Sequence, residues 1–191
     1  MKWIRGAMRA AAALAVVAAL SQPVQATTMI RMGLEGLTAE NQSVVVGRIL
    51  DVQSYWNAEG SFILTDVRVL VQDVLKGNPK EKEFTITVMG GNVGEITTLV
   101  VAGPDLEIGK DYVLFLSPED LPGAVQVRTV RDLAQGVFDV VDTPSGPRAI
   151  SQASRHPLMP DVFGYSDAPG GSEGLPLDFM TQKVRQLAGR R

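Results

Sequence analysis

Between Ser43 and Val141 the chain is a succession of short β-prone runs, several alternating apolar and polar residues with a period of two, divided by turn signals, and no other feature constrains its fold as strongly. Successive side chains of a strand point to opposite faces, so this pattern builds sheets with a buried face. Residues 44–52 (VVVGRILDV) read as a first strand, with Gly47 marking a bend or bulge. Residues 62–75 read as a long second strand in which Ile63, Thr65, Val67, Val69 and Val71 share one face. Residues 83–89 (EFTITVM) put Phe84, Ile86 and Val88 on one side, and residues 96–102 read as a fourth strand stopped by Gly103-Pro104. Residues 111–117 (DYVLFLS) are apolar enough to be buried on both faces. Residues 124–130 and 136–141 follow. Short strands with turn signals between them, and no helical periods separating them, indicate an all-β barrel or sandwich rather than βαβ units.

Two helices flank this region. Residues 34–41 space apolar residues three apart and form a short helix, although Gly36 sits inside it. Pro176 suits a first helical turn, and Leu177, Met180, Val184 and Leu187 then fall on one stripe, which predicts a helix to about Ala188 that caps the barrel. Between barrel and helix, residues 143–176 hold six prolines, five glycines and five serines, which reads as an extended loop. The predicted organisation is a leader over 1–26, a β-barrel domain over 27–142, a Pro/Gly/Ser-rich loop over 143–175, and a C-terminal helix and tail over 176–191.

The leader follows from three features. Lys2, Arg5 and Arg9 form a basic start, residues 10–20 are uninterruptedly apolar, and Val24 and Ala26 place small residues at −3 and −1 of a cleavage site. This is the secretory pattern, and it predicts a secreted or periplasmic protein that begins at Thr27. The apolar run is shorter than the roughly 20 residues that a spanning helix needs.

Composition narrows the chemistry. The chain has no cysteine, which excludes thiol nucleophiles, cysteine-ligated zinc and disulfides. Its single histidine, His156, rules out a multi-histidine metal site and reads as a solvated loop residue beside Pro157. No metal or other cofactor is expected. Beyond Ala26 there are 15 basic and 21 acidic residues, and this net charge of −6 opposes nucleic-acid binding. The glycines of residues 90–94 lie between strands, so they form a hairpin loop and not a phosphate cradle. Asp139 and Asp142 bracket a strand end, but nothing in the sequence pairs two carboxylates for hydrolysis. Asn41-Gln42-Ser43 matches a glycosylation tripeptide that is common by chance. Tyr55 and Trp56 lie beside a turn, as either an aromatic binding surface or a plug in the barrel end.

The succession SVVVGRI at 43–49, VRVLVQDVLKG at 67–77, residues 83–91, and GPDLEIGKDYVLFL at 103–116 resembles bacterial exported proteins related to the netrin-like module. That module is the OB-type barrel of the tissue inhibitors of metalloproteinases. The resemblance covers residues 43–117, or 27–117 with the leading segment. It implies a zinc metalloprotease as partner, with the α-amine and carbonyl of Thr27 on the catalytic zinc and Thr28 beside the primary specificity pocket. The family's animal inhibitors begin with a cysteine, and disulfides pin this wedge to the barrel; here both are absent. The expected function is therefore an exported, non-catalytic binding module that uses Thr27, Thr28, Tyr55 and Trp56. The alternatives are an envelope-associated structural protein and, last, a carboxylate-dependent hydrolase.

Overall fold

The computed structural model describes residues 32–131, 133–155 and 174–189. A short helix α1 (Leu34–Glu40) precedes β1 (Ser43–Trp56), β2 (Ile63–Lys76) and β3 (Glu83–Met89). A small hairpin of β4 (Gly91–Val93) and β5 (Ile96–Thr98) follows, then β6 (Asp111–Leu121), β7 (Ala124–Val130), β8 (Val137–Thr143) and β9 (Gly146–Ser151). The two-residue β10 (Leu175–Pro176) leads into helix α2 (Leu177–Ala188). The fold is all-β with a helix at each flank, as the alternation predicts.

The main sheet is antiparallel in the order β10-β9-β8-β6-β1-β2-β3, with β7 also paired to β6. At its centre lie β1 and β6, in register from Ser43 opposite Leu116 to Arg48 opposite Asp111. Over Val44–Gly47 and Tyr112–Leu116 both are buried on both faces. Val45, Ile49, Tyr112, Leu114 and Leu116 join Val67, Val69, Phe84, Ile86, Val130 and Val137 in an inner core. The residues between them, Val44, Val46, Val113 and Phe115, enter an outer core with Leu37, Leu75, Phe138, Met180 and Val184. The all-apolar runs VVV and YVLFL thus feed two cores at once, one residue in each direction.

Curling around the inner core brings β3 back towards β7, yet the expected barrel is not closed by a ladder. Among the described residues, the Arg128 guanidinium of β7 lies over the Phe84 ring of β3 at 4.3 Å and reaches Glu81 at 3.5 Å. Side chains, not backbone hydrogen bonds, bridge this seam. The bend expected at Gly47 is real. Register shifts flank it, and a Cβ there would fall 2.5 Å from Val69 Cγ1.

Three expectations need correction. Helix α2 does not cap an end of the barrel. Met180 and Val184 seal the outer core on its side, and Arg185 grips Asp73 of β2 through both carboxylate oxygens at 2.6 Å. The Pro/Gly/Ser-rich stretch does not begin as a loop. Its first residues form β9, which pairs with β8 through a turn at Ser145-Gly146 and buries Ala149. Turn formers outnumber apolar residues there, so the pairing is invisible to composition. The fourth strand, expected over 96–102, ends at Thr98. Gly90 and Gly91 take positive φ of 88° and 130° and turn the chain off β3 into the β4–β5 hairpin. Beyond it, Leu99 and Val101 face solvent.

The LKG turn has a specific task. Lys76 Nζ donates to the Thr38 and Asn41 carbonyls, each at 2.5 Å, and so satisfies the end of α1. Gly77, with φ of 83°, passes against Ser43 where a Cβ would lie 2.9 Å from the serine Cβ. The Asn41 amide donates to the Leu37 carbonyl at 3.0 Å and is buried, which explains the glycosylation match as a helix-end residue.

Since β6 serves both cores, Leu114→Ala and Phe115→Ala should each lower stability by about 3–5 kcal/mol. Chemical denaturation of the two variants checks this. A loss under about 1 kcal/mol at either position would mean that one of the two cores is dispensable.

Candidate functional site

Three connections meet at one end of the curled sheet. The β1–β2 turn is organised by buried Asn57, whose Oδ1 accepts from the Ser61 and Phe62 amides at 2.9 and 3.1 Å. Its Nδ2 reaches the Pro122 carbonyl at 3.3 Å, which ties in the tip of the β6–β7 hairpin. The β4–β5 hairpin folds over the same end. Asn92 N–H donates to Ser54 Oγ at 3.3 Å, Ser54 lies 2.8 Å from Thr65 Oγ1, and Thr65 donates to the Gly90 carbonyl at 2.6 Å. Each hydroxyl can donate once, so the chain has one proton order, from Asn92 through Ser54 and Thr65 to Gly90. Gly91 lies so close to both hydroxyls that a Cβ would stand 2.2 Å from Thr65 Oγ1.

Beneath this hairpin is a cavity of about 170 Å³, bordered by Val52, Ser54, Thr65, Val67, Pro104 and Leu106 among others. Several large apolar side chains of these connections and the strands they join are exposed. Trp56 is 38% exposed, Leu99 87% and Val125 76%, and Ile96 and Val101 are also uncovered.

Tyr55 and Trp56 both lie at this end but do not form one surface. They are consecutive on β1, opposite Leu64 and Ile63, and therefore point to opposite faces. Tyr55 is anchored. Its Oη donates to Asp66 Oδ1 at 3.1 Å, and Thr87 Oγ1 donates to the same oxygen at 2.7 Å. Burial, then the Asp66 charge beside it, raises the phenol above its ordinary value and keeps it protonated. Trp56 is the more available of the two.

Thr27 and Thr28 lie outside the described residues, as does His156. The first described residue is pinned. Met32 N–H donates to the side chain of buried Gln135 at 2.8 Å, and the Met32 side chain packs on the outer core.

A second cavity, of about 400 Å³, lies between β8 and the loop before β6. It gathers carboxylates that are far apart in sequence, namely Asp105, Glu107, Asp111, Asp139 and Asp142. Three of them are engaged. Arg48 clamps Asp111 through two bonds of 2.8 and 2.7 Å, and Gln72 adds a third of 2.9 Å. These donors hold the Asp111 carboxyl below the usual carboxylate range, Arg48 foremost. Glu107 pairs with Lys110 at 2.5 Å, and Asp139 accepts from Gln152 at 2.7 Å. Gln152 also exchanges two hydrogen bonds with the Asp105 backbone, which locks the loop to β8. Among the described residues no group of three or more acids or histidines has metal-binding geometry.

No protein-family model matches the chain, and no curated protein is significantly similar to it in sequence. Geometry alone therefore selects the site, and it favours the end that carries Trp56. Sequence reasoning missed Leu99 and Val101 because their alternation imitates a buried strand. The available signal was the glycine pair before them and Gly103-Pro104 after them.

Two measurements check this description. Tyr55→Phe should cost about 1 kcal/mol in chemical denaturation, the net worth of one partly buried hydrogen bond. For Asp111 the folded value lies below the unfolded one, so its contribution is present above about pH 4 and disappears as pH falls through the folded value. Asp111→Asn should flatten the acid limb of stability against pH. An acid limb identical to that of the parent protein would show that the Arg48–Asp111 clamp carries no linkage.

Proposed function

We propose that this protein is an exported, non-catalytic binding module whose partner is a secreted zinc metalloprotease. In this reading the mature N-terminus, Thr27-Thr28, enters the protease cleft, and the apolar end of the sheet around Trp56 docks beside it. The observation that carries the reading is that Trp56, Leu99 and Val125 are exposed on or beside three connections that are tied to one another by hydrogen bonds. Large apolar side chains left exposed on a rigid frame are candidates for contact with a protein partner.

The resemblance to the netrin-like module adds support. β1, β2, β3, β6 and β7, joined by Val137 at the start of β8, surround a single inner core, as a curled OB-like sheet would. The leading segment and α1 precede β1, in the order that the module demands. Where the animal inhibitors use disulfides, this chain offers the Met32–Gln135 hydrogen bond and the packing of α1 under Lys76. A neutral α-amine with its own carbonyl can fill the open position of a catalytic zinc.

Export with cleavage after Ala26 is part of the proposal, and N-terminal sequencing of the exported protein should begin at Thr27. Titration against zinc endoproteases should then show stoichiometric inhibition. One residue added before Thr27 should weaken it about 100-fold by removing the chelating amine, and Trp56→Ala should weaken it about tenfold. Equal inhibition by the extended and the native forms would reject the wedge.

A further inference from the structure

Met32 and the exposed segment of Leu99 and Val101 are fastened to one short element, the 3₁₀ turn Leu133–Gly136. Ala134, Gln135 and Gly136 are all buried, and each meets a different part of the molecule. Ala134 N–H donates to the Ala102 carbonyl at 2.8 Å, next to Val101, which is 59% exposed. Gln135 Oε1 accepts from Met32 N–H at 2.8 Å. Gly136 sits against the central strands. A Cβ there would stand 2.8 Å from Val130 Cγ1 of β7 and 3.3 Å from the Phe115 carbonyl of β6.

The backbone is strained around the first of these contacts. Ala102 and Leu133 take positive φ of 57° and 56°, a region that residues with a Cβ enter only at a cost. Such conformations persist where the surrounding contacts over-determine them, and the Ala134–Ala102 hydrogen bond lies between the two. The turn is therefore a fixed point, seated on β6 and β7, that holds the Leu99–Val101 segment on one side and Met32 on the other.

We propose that this turn is a joint that keeps the N-terminal residues and the Leu99–Val101 segment in one fixed relation, with Gln135 as the positioning residue for the N-terminus. This role rests on the metalloprotease reading, in which both parts meet the same partner. Two contacts carried on a rigid joint reach one partner together, so the second forms without a fresh cost of orientation. Loss of the joint leaves both contacts present but unaligned. Gln135 itself touches no partner atom and acts through Met32.

Hydrogen exchange of the free protein beginning at Thr27, combined with protease titration, tests the proposal. Gln135→Met keeps the length of the side chain and removes the acceptor. In the free protein it should speed exchange of the Met32 amide about tenfold, with the Val113 and Phe115 amides unchanged. It should also weaken inhibition of the zinc endoprotease about tenfold. In the form that carries one extra residue before Thr27, the same substitution should change binding by less than about twofold, because no seated N-terminus is left to position. Leu99→Ala should weaken the parent about fivefold but the Gln135→Met variant by less than about twofold, because the two contacts no longer bind as a unit. Unchanged Met32 exchange, an equal loss in the native and extended forms, or an equal cost of Leu99→Ala in both backgrounds would overturn the proposal. Accelerated Met32 exchange in a protein that inhibits no zinc endoprotease would reject the protease reading and still support the anchoring of Met32 by Gln135.

Discussion

The β1–β6 pair is buried on both faces, and the rest of the molecule is arranged around that constraint. A strand covered on one side needs one layer against it; a pair covered on both sides needs two. The inner layer is made by the curl of β2, β3 and β7, and the outer layer by α1 and α2. Lys76 and Arg185 serve this arrangement from the rim. The first satisfies the end of α1, and the second ties α2 to β2. Without cysteine, the fold rests on this doubled apolar packing. A chain of this length can bury enough surface to manage it.

The two-sided burial was legible from residues 111–117, where no polar residue interrupts the apolar run between Asp111 and Ser117. The extent of β2, the α2 stripe and the bulge at Gly47 were also legible, because periodicity and a central glycine report local geometry directly, whereas β1 and β6 run on to Trp56 and Leu121, four residues past their expected ends. Less was legible where a pattern and its environment disagree. Leu99 and Val101 alternate like core residues, yet the Gly90-Gly91 turn carries them away from the core. Residues 146–151 read as loop, yet β8 recruits them as a partner because its edge would otherwise stand unpaired. In both cases long-range pairing overrode local composition.

The candidate site shows the same division. Tyr55 and Trp56 were visible as a pair of aromatics, but strand alternation separates them. One is tied to Asp66 and the other left accessible. The acid-lined cavity and the β3–β7 seam were not visible at all, because their residues come from distant strands and meet only when the sheet curls. Function in this fold is therefore expected at a place that the doubled core leaves uncovered, the Trp56 end.

Native-state hydrogen exchange tests the central claim most directly. If β1 and β6 are the shared wall of both cores, the amides of Val45, Val113, Leu114 and Phe115 should exchange only through global unfolding, while β4–β5 and the β3 edge open at lower free energy. Exchange of the β1 and β6 amides through a partial opening that leaves β2 and β3 protected would contradict it.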